Sequence, residues 1–399
     1  MSENTGKTVR RRKIHHRGRL SQIRIYLGKQ LRFFINESDW KVLPMAAAIA
    51  ALVGAVIRNR LFVNMEGTLI GAFALTCVAI WNGCFNSIQA VCRERAIIKR
   101  EHRSGMHVSS YMAAHMIYQF FLCITQTALT MYVLQFLNVR FGEQQGIITR
   151  WMIVDIGLSM LLISYASDMM SLFISSVSRT TTGAMTVMPF ILIFQLVFSG
   201  GIIPLPESVR NLSNYTISNY GIRAIASQAD YNGREMATGW NTLNSMQNEP
   251  IDATITIGQV LDLLDSPAVV KRRDTEVINQ STISTAAGIA GISEENAIPI
   301  EKPVTLGEIV DLMKSNQWLQ ENRDKSYRIK ATVGEVMEIL GKDKVKETIQ
   351  RKTAAAAQKP EYRSDLENVL QNWLMLFLFV CLFSMLAMLT LELIDKDKR

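Results

Sequence analysis

The sequence holds no Gly-x-x-x-x-Gly-Lys-Ser/Thr stretch, so it has no evident nucleotide-binding loop of its own. Cysteine is scarce: the 5 thiols are Cys77, Cys84, Cys92, Cys123 and Cys381. All lie in or at the ends of apolar runs and none in a polar stretch, which argues against a secreted disulfide framework and fits no zinc spacing. Histidine is scarcer as chemistry than as a count. His15, His16, His102, His107 and His115 sit in basic segments or alone, and no His/Cys metal cluster forms. Met1 to Leu20 is polar and basic, which does not read as a secretory signal. These absences point away from a metalloenzyme, a disulfide scaffold and a self-contained ATPase.

What the chain does have is charge-poor length. Several runs of about 16 to 28 residues match a hydrocarbon core of roughly 30 Å. Six spans are expected, at about Val42–Ile57, Thr68–Cys92, Ser109–Leu137, Trp151–Val177, Gly183–Leu205 and Leu370–Ile394. Trp40, Trp151 and Trp373 fall at span ends, where an indole favours the interface. Before the first span, Ser21 to Asn36 alternates apolar residues with Arg24, Lys29 and Arg32, which reads as an interfacial amphipathic helix or an ordinary basic juxtamembrane segment.

Charge is distributed unevenly. Between Leu205 and Val369 there are 23 acidic and 19 basic residues, a net of −4, so with a whole-chain charge of +8 the rest carries +12. Basic residues from Arg10 to Lys41, Arg93 to Arg103, Arg179, and Lys396 to Arg399 flank alternate ends of the spans. The positive-inside rule then places both termini in the cytoplasm of a multi-pass plasma-membrane protein, with contacts to membrane lipid and none to nucleic acid. Arg58 and Arg60 run against this count.

The resulting organisation is a basic cytoplasmic N-terminus (1–41), spans one to five with a cytoplasmic helix near 93–108 (42–205), a membrane-proximal external segment (206–247), a soluble external module (248–365), and a sixth span with a cytoplasmic tail (366–399). The module contains an internal repeat beginning at Thr256, Thr305 and Thr332, each Thr followed by an apolar residue, Gly, then Gln or Glu. Thr with Glu or Gln three residues on is a capping box, so each copy reads as a capped amphipathic helix. Coincidence between common helix starts is the bland alternative. Asn279–Asn296 reads as a linker. Asp155 and Asp168 are charges inside a span, which are expensive unless paired or wetted. Arg150 stands near the first, while Arg179 or a polar interior is expected to serve the second.

The most informative stretch is Trp81–Gln119, where an apolar span runs into alternating charges, a Ser104-Gly105 turn and another span. Phe85, Asn86, Arg93, Glu94, Arg95, Arg100, Glu101, Gly105 and Tyr111 there form a pattern that resembles G-subfamily ABC transporters and related type 2 ABC permeases. Ser175 to Arg179, then Phe198-Ser-Gly-Gly-Ile-Ile-Pro-Leu205, is similar to the same family, and Leu212–Ala226 more weakly so. The likeness covers about residues 21–232 and 366–394, and the module departs from the short external loop usual there.

The resemblance implies a mainly α fold: a six-helix membrane domain of ABC type 2 exporter kind with a large, mostly helical extracytoplasmic insertion between the fifth and sixth spans. It implies a permease subunit, itself no enzyme, that dimerises with itself or a related permease. An ABC ATPase partner would hold ATP and Mg, and a hydrophobic or amphipathic substrate would be exported. Glu94, Arg95, Arg100, Glu101, Arg103 and Gly105 become coupling candidates; basic residues flanking any cytoplasmic loop would look alike. Asn82, Phe85, Asn86, Val187, Phe190, Phe194 and Phe198 become candidates for the substrate route, with helix packing as the competing reading. A membrane anchor or sensor with an external binding module, or a secondary transporter, remains a distinct alternative that copurification of an ATPase would separate.

Overall fold

A computed structural model describes residues 18–36, 39–59, 61–139, 141, 146–201, 205–265, 267–278, 303–334, 337 and 342–393. The basic run at 10–17, the linker at 279–296, Ile202 to Pro204, most of the third repeat copy, and Lys396 to Arg399 lie outside the described residues. The chain divides into two compact units: Met1–Gly239 with Thr348–Arg399, and Trp240–Glu347.

The first unit is helical. Its elements are α1 (Arg19–Asn36), α2 (Val42–Ile57), α3 (Met65–Ser87), α4 (Ala90–Arg103), α5 (Val108–Phe136), α6 (Met152–Val177), α7 (Thr181–Val197), α8 (Glu207–Arg210) and α9 (Ile217–Gln228), closed by α16 (Leu366–Glu392). In hydrocarbon every backbone polar group needs an internal partner, and a helix supplies one within each segment. Among the described residues five helical stretches are long and apolar enough to cross a membrane: Asp39–Ile57, Met65–Arg103, Val108–Phe136, Met152–Val177 and Leu366–Glu392.

The predicted fifth span, Gly183–Leu205, is shorter than expected. Helix α7 has 17 residues, about 26 Å at 1.5 Å per residue, less than a hydrocarbon core. It stops at Val197 because Gly200 adopts a φ of +68°, where only glycine sits without strain. Gly201 then admits the Ile222 side chain, whose Cδ1 would lie 2.8 Å from an added Cβ. The Gln195 carbonyl accepts the Ser218 hydroxyl, and Gln195 Oε1 accepts Ser218 N at 3.2 Å, pinning α7 to α9.

Helices α3 and α6 form the centre, with α16 and α9 against α6. Leu75, Ile80, Met160, Ile163 and Met169 are buried between them. Close approach is enforced at Gly83, where a Cβ would stand 2.1 Å from the Ser164 carbonyl oxygen. The outward faces stay apolar, with Leu52, Phe121, Phe136, Leu374, Phe377 and Met385 exposed, as a lipid-facing surface requires. Helix α9 has 12 residues, almost all buried, and packs on α3, α6 and α16; it is capped by Thr216, which accepts from Asn219 N. The predicted second span, Thr68–Cys92, is two helices. It starts earlier, at Met65 with Asn64 capping Gly67 N at 2.7 Å, and breaks after Ser87.

Between α10 (Thr238–Ser245) and α16, strands interrupt the expected run of helices. The elements are β1 (Pro250–Thr256), α11 (Ile257–Leu264), α12 (Pro267–Val270), β2 (Glu276–Ile278), β3 (Val304–Thr305), α13 (Leu306–Ser315), α14 (Gln317–Glu321), β4 (Ser326–Thr332) and α15 (Lys342–Ala357). β1 pairs antiparallel with β4, Pro250 opposite Thr332 and Thr256 opposite Ser326; β2 pairs antiparallel with β3. Each repeat Thr is the junction where a strand becomes a helix. Among the described residues, reciprocal capping is seen at Thr256 and Thr305: Gln259 N to Thr256 Oγ1 (3.2 Å) with Thr256 N to Gln259 Oε1 (3.0 Å), and Glu308 N to Thr305 Oγ1 (3.3 Å) with Thr305 N to Glu308 Oε2 (2.9 Å).

The repeated glycine has its own reason. Gly258 N donates to the Arg323 carbonyl (2.9 Å), Gly307 N to that of Arg273 (2.7 Å) and Gly334 N to that of Gln247 (2.9 Å). A Cβ there would meet the same carbonyl oxygens at 3.3, 3.1 and 3.2 Å. The first two copies are reciprocal: Arg323 reaches back to Asp262 of α11 (2.6 Å), and Arg273 reaches forward to Asp311 of α13.

Candidate functional site

Helix α4 is the most polar helix next to the apolar bundle, and its placement follows from a break in α3. Ser87 ends α3 and Ala90 starts α4. The first N–H groups of a new helix lack intrahelical acceptors. Ser175 of α6 supplies one: its Oγ accepts from Val91 N and Cys92 N, both at 3.1 Å. Arg95 Nη1 then donates to the carbonyls closing α6, Ser176 at 2.9 Å and Ser178 at 3.3 Å. Basic charge at a helix C-terminus is electrostatically favourable.

The opposite flank is held by α1. Lys29 Nζ lies 2.9 Å from Glu94 Oε2, whose residue is buried. Tyr26 donates to Glu101 Oε2 (3.1 Å). Burial, with Glu101 beside it, pushes the Tyr26 phenol above its usual range, so it remains a neutral donor. Gln22 bridges the turn, donating to the Gly105 carbonyl (3.3 Å) and accepting from His107 N (3.0 Å). Gly105 makes the turn with a φ of +104°. Gln30 Nε2 and His115 Nε2 are 2.9 Å apart. Asp39 binds Arg93 at 3.2 Å.

These contacts sort the coupling candidates onto two faces. Glu94, Arg95 and Glu101 turn inward to α1 and α6. Arg100 and Arg103 are exposed together with Ala96 and Ile97, a set at positions 96, 97, 100 and 103 that shares one helical face. Gly105 forms the turn after it.

The route candidates also divide. Phe85 and Asn86 line a cavity of about 210 Å³ beside the α3–α4 break, with Gln30, Tyr118, Gln119 and Met185. Asn82 is buried instead, donating to Thr130 Oγ1 at 3.5 Å. Val187, Phe190 and Phe194 are exposed along α7, with the Phe194 and Phe198 rings 4.8 Å apart. A polar seam joins α3, α5 and α6 beneath the cavity. Asn86 and Gln126 exchange hydrogen bonds at 2.8 and 2.9 Å. Gln119 donates to Ser87 Oγ (2.7 Å), Ser87 donates to Asp168, and Cys123 Sγ lies 3.5 Å from the same carboxylate. Asp168 thus rests in a polar interior. Asp155 accepts from Ile148 N and Thr149 N, both at 2.9 Å, closing the turn before α6.

Sequence reasoning missed Gln22, Tyr26, Lys29 and Gln30. The two buried residues of α1 are glutamines, Gln22 and Gln30. Positions 22, 26, 29 and 30 repeat at helical spacing, a polar stripe facing the protein that was visible in the sequence but inverted from the usual apolar one.

The profile of the ABC-2 type transporter family fits residues 22–227, from α1 through α9. A relative, the ABC transporter ATP-binding/permease protein Rv1747 of Mycobacterium tuberculosis, is 27% identical over 159 residues. That match takes in 38% of this chain and 18% of the relative.

Proposed function

Because this chain belongs to the ABC-2 type transporter family, we propose that its membrane permease activity is ATP-driven export, with two permease copies carrying a hydrophobic or amphipathic substrate out of the cytoplasm or inner leaflet. ATP and Mg belong to the ATPase partner that the family implies. The observation that carries this reading is the fixing of α4. It is clamped to α6 by Ser175 and Arg95 and to α1 by Glu94 and Glu101, while Ala96, Ile97, Arg100 and Arg103 remain outward. A helix held on its inner side transmits a push on its outer side to the helices it grips. Closure of the ATPase against that face would move α3 and α6 together and change the cavity at Phe85 and Asn86. The exposed aromatic face of α7, Phe190 and Phe194, would complete the route against a second permease.

The test is reconstitution. The full chain serves as bait for its ATPase, and the pair is placed in proteoliposomes. Arg100→Glu with Arg103→Glu reverses two exposed charges. Charge reversal on an exposed face slows association and weakens coupling, so stimulated ATP hydrolysis is expected to fall ~10-fold or more in a variant that still folds. Failure of any ATPase to copurify, or undiminished stimulation in the double variant, would overturn the reading.

A further inference from the structure

A second cavity, of about 320 Å³, lies at the end of the helix bundle opposite α4. It is walled by Gly200 after α7, Arg210 of α8, Asn219 and Arg223 of α9, and Lys359 and Glu361 just before α16. Three cations therefore face one carboxylate. Glu361 is shared, with Oε2 3.2 Å from Arg223 and Oε1 3.5 Å from Arg210. One negative charge against three positive leaves a surplus of two.

Donors here are also left without acceptors. Asn219 is 4% exposed, and its Nδ2 has no hydrogen-bond partner among the described residues; the same holds for the buried Nε of Arg223. Buried polar groups are nearly always paired, so an orphan pair on one cavity wall calls for an acceptor. The cations are held in place rather than loose. Arg223 stacks 5.8 Å from the Tyr220 ring, and Lys359 lies 5.5 Å from that of Tyr362. Gly200, beside Asn219, adopts a φ of +68°, where a side chain would be strained.

We propose that this cavity is a binding site for a phosphodiester or phosphate anion. A guanidinium offers planar paired donors that fit tetrahedral oxyanions, and an amide completes the cradle. The cavity is large enough for a headgroup and too small for a whole lipid, at the low end of ligand-pocket sizes. Leu212 and Tyr215, on the turn between Arg210 and Asn219, are exposed, a pairing suited to a membrane–water interface. An anionic lipid could seat its phosphate among the arginines with its chains against that rim. Inorganic phosphate would satisfy the same donors without a rim contact. This inference concerns binding and does not depend on the direction of transport.

The experiment uses the full chain in phosphatidylcholine nanodiscs with or without phosphatidylglycerol. Native mass spectrometry counts retained phosphatidylglycerol, and calorimetry titrates inorganic phosphate into the lipid-neutral sample. Arg210→Gln with Lys359→Gln removes two exposed-side charges and is expected to weaken retention ~10-fold or more, as loss of charge-assisted bonds does. Glu361→Gln removes the competing internal anion and is expected to tighten retention, an opposite sign that misfolding would not produce. Retained phosphatidylglycerol without phosphate heat assigns a lipid headgroup; phosphate heat that follows both variants assigns the free anion. Neither ligand binding, or binding indifferent to both variants, would overturn the site.

Discussion

Lys29 of α1 meets the buried carboxylate of Glu94 on α4 at 2.9 Å, across 65 residues of sequence. The lysine side chain is 21% exposed and the glutamate 5%. Removing the cation strands a buried charge, whereas removing the charge strands an amine that still reaches water in part. Lys29→Met should therefore destabilise the protein by about 2 kcal/mol, more than Glu94→Gln does. The double variant should recover part of the loss. Thermal unfolding in detergent of all four proteins gives the cycle, and equal single losses with strict additivity would refute the pairing.

Gly83 sets the distance between α3 and α6. A methyl group there would sit 2.1 Å from the Ser164 carbonyl and 2.9 Å from Asp168 N. Both are backbone atoms of α6, so neither can rotate away. Gly83→Ala should cost about 1–3 kcal/mol through overpacking, and Gly83→Leu should abolish the folded protein. By contrast, Gly28→Ala, on α1 with open space around the added atom, should stabilise slightly by favouring helix. A melting series of the three variants checks the ranking.

In the segment between α10 and α15, the repeat glycine outweighs the repeat ion pair. Arg273 and Asp311 are both substantially exposed, and surface pairs contribute about 0–1 kcal/mol. Gly307 instead approaches the Arg273 backbone, donating to its carbonyl at 2.7 Å. Gly307→Ala should accelerate proteolytic cleavage within 240–347, while Asp311→Asn should leave the cleavage rate nearly unchanged. Limited proteolysis followed by mass spectrometry separates the two.

How much of this was legible follows from what each feature depends on. The long helices were readable because bilayer thickness alone demands about 20 apolar residues. The polar helix α4 was readable from the alternating charges at 93–103. Its detachment from α3 was not, since Ser87-Ile88-Gln89 contains no glycine or proline, and the break is secured by Ser175 from 84 residues away. The early end of α7 was written at Gly200-Gly201, but apolar residues beyond it masked the stop. Strand β1 was present as Ile251, Ala253 and Ile255 alternating with polar residues, and β4 as Tyr327, Ile329 and Ala331. The stronger capping signal at each Thr drew attention to the helix alone. The inward polar stripe of α1 was hidden by its basic residues, which read equally well as attraction to lipid.

Asp168 tests what the buried seam is for. Its carboxylate accepts from Ser87 and lies 3.5 Å from Cys123 Sγ, and Ser87 in turn accepts from Gln119 at 2.7 Å. The carboxylate thus fixes the last residue of α3, one step before the break that frees α4. Asn retains the shape and one acceptor, so Asp168→Asn should fold with the seam largely intact. Leu retains neither, leaving the Ser87 hydroxyl and the Cys123 thiol without their shared acceptor inside the protein, at about 1–3 kcal/mol per unsatisfied group. Asp168→Leu should therefore lower the melting temperature and loosen the start of α4. Hydrogen exchange at Val91 and Cys92, whose N–H groups bond to Ser175, reads that loosening directly. Faster exchange in the Leu variant and near-native protection in the Asn variant would tie the seam to the hold on α4. Equal protection in both would confine Asp168 to packing within the bundle.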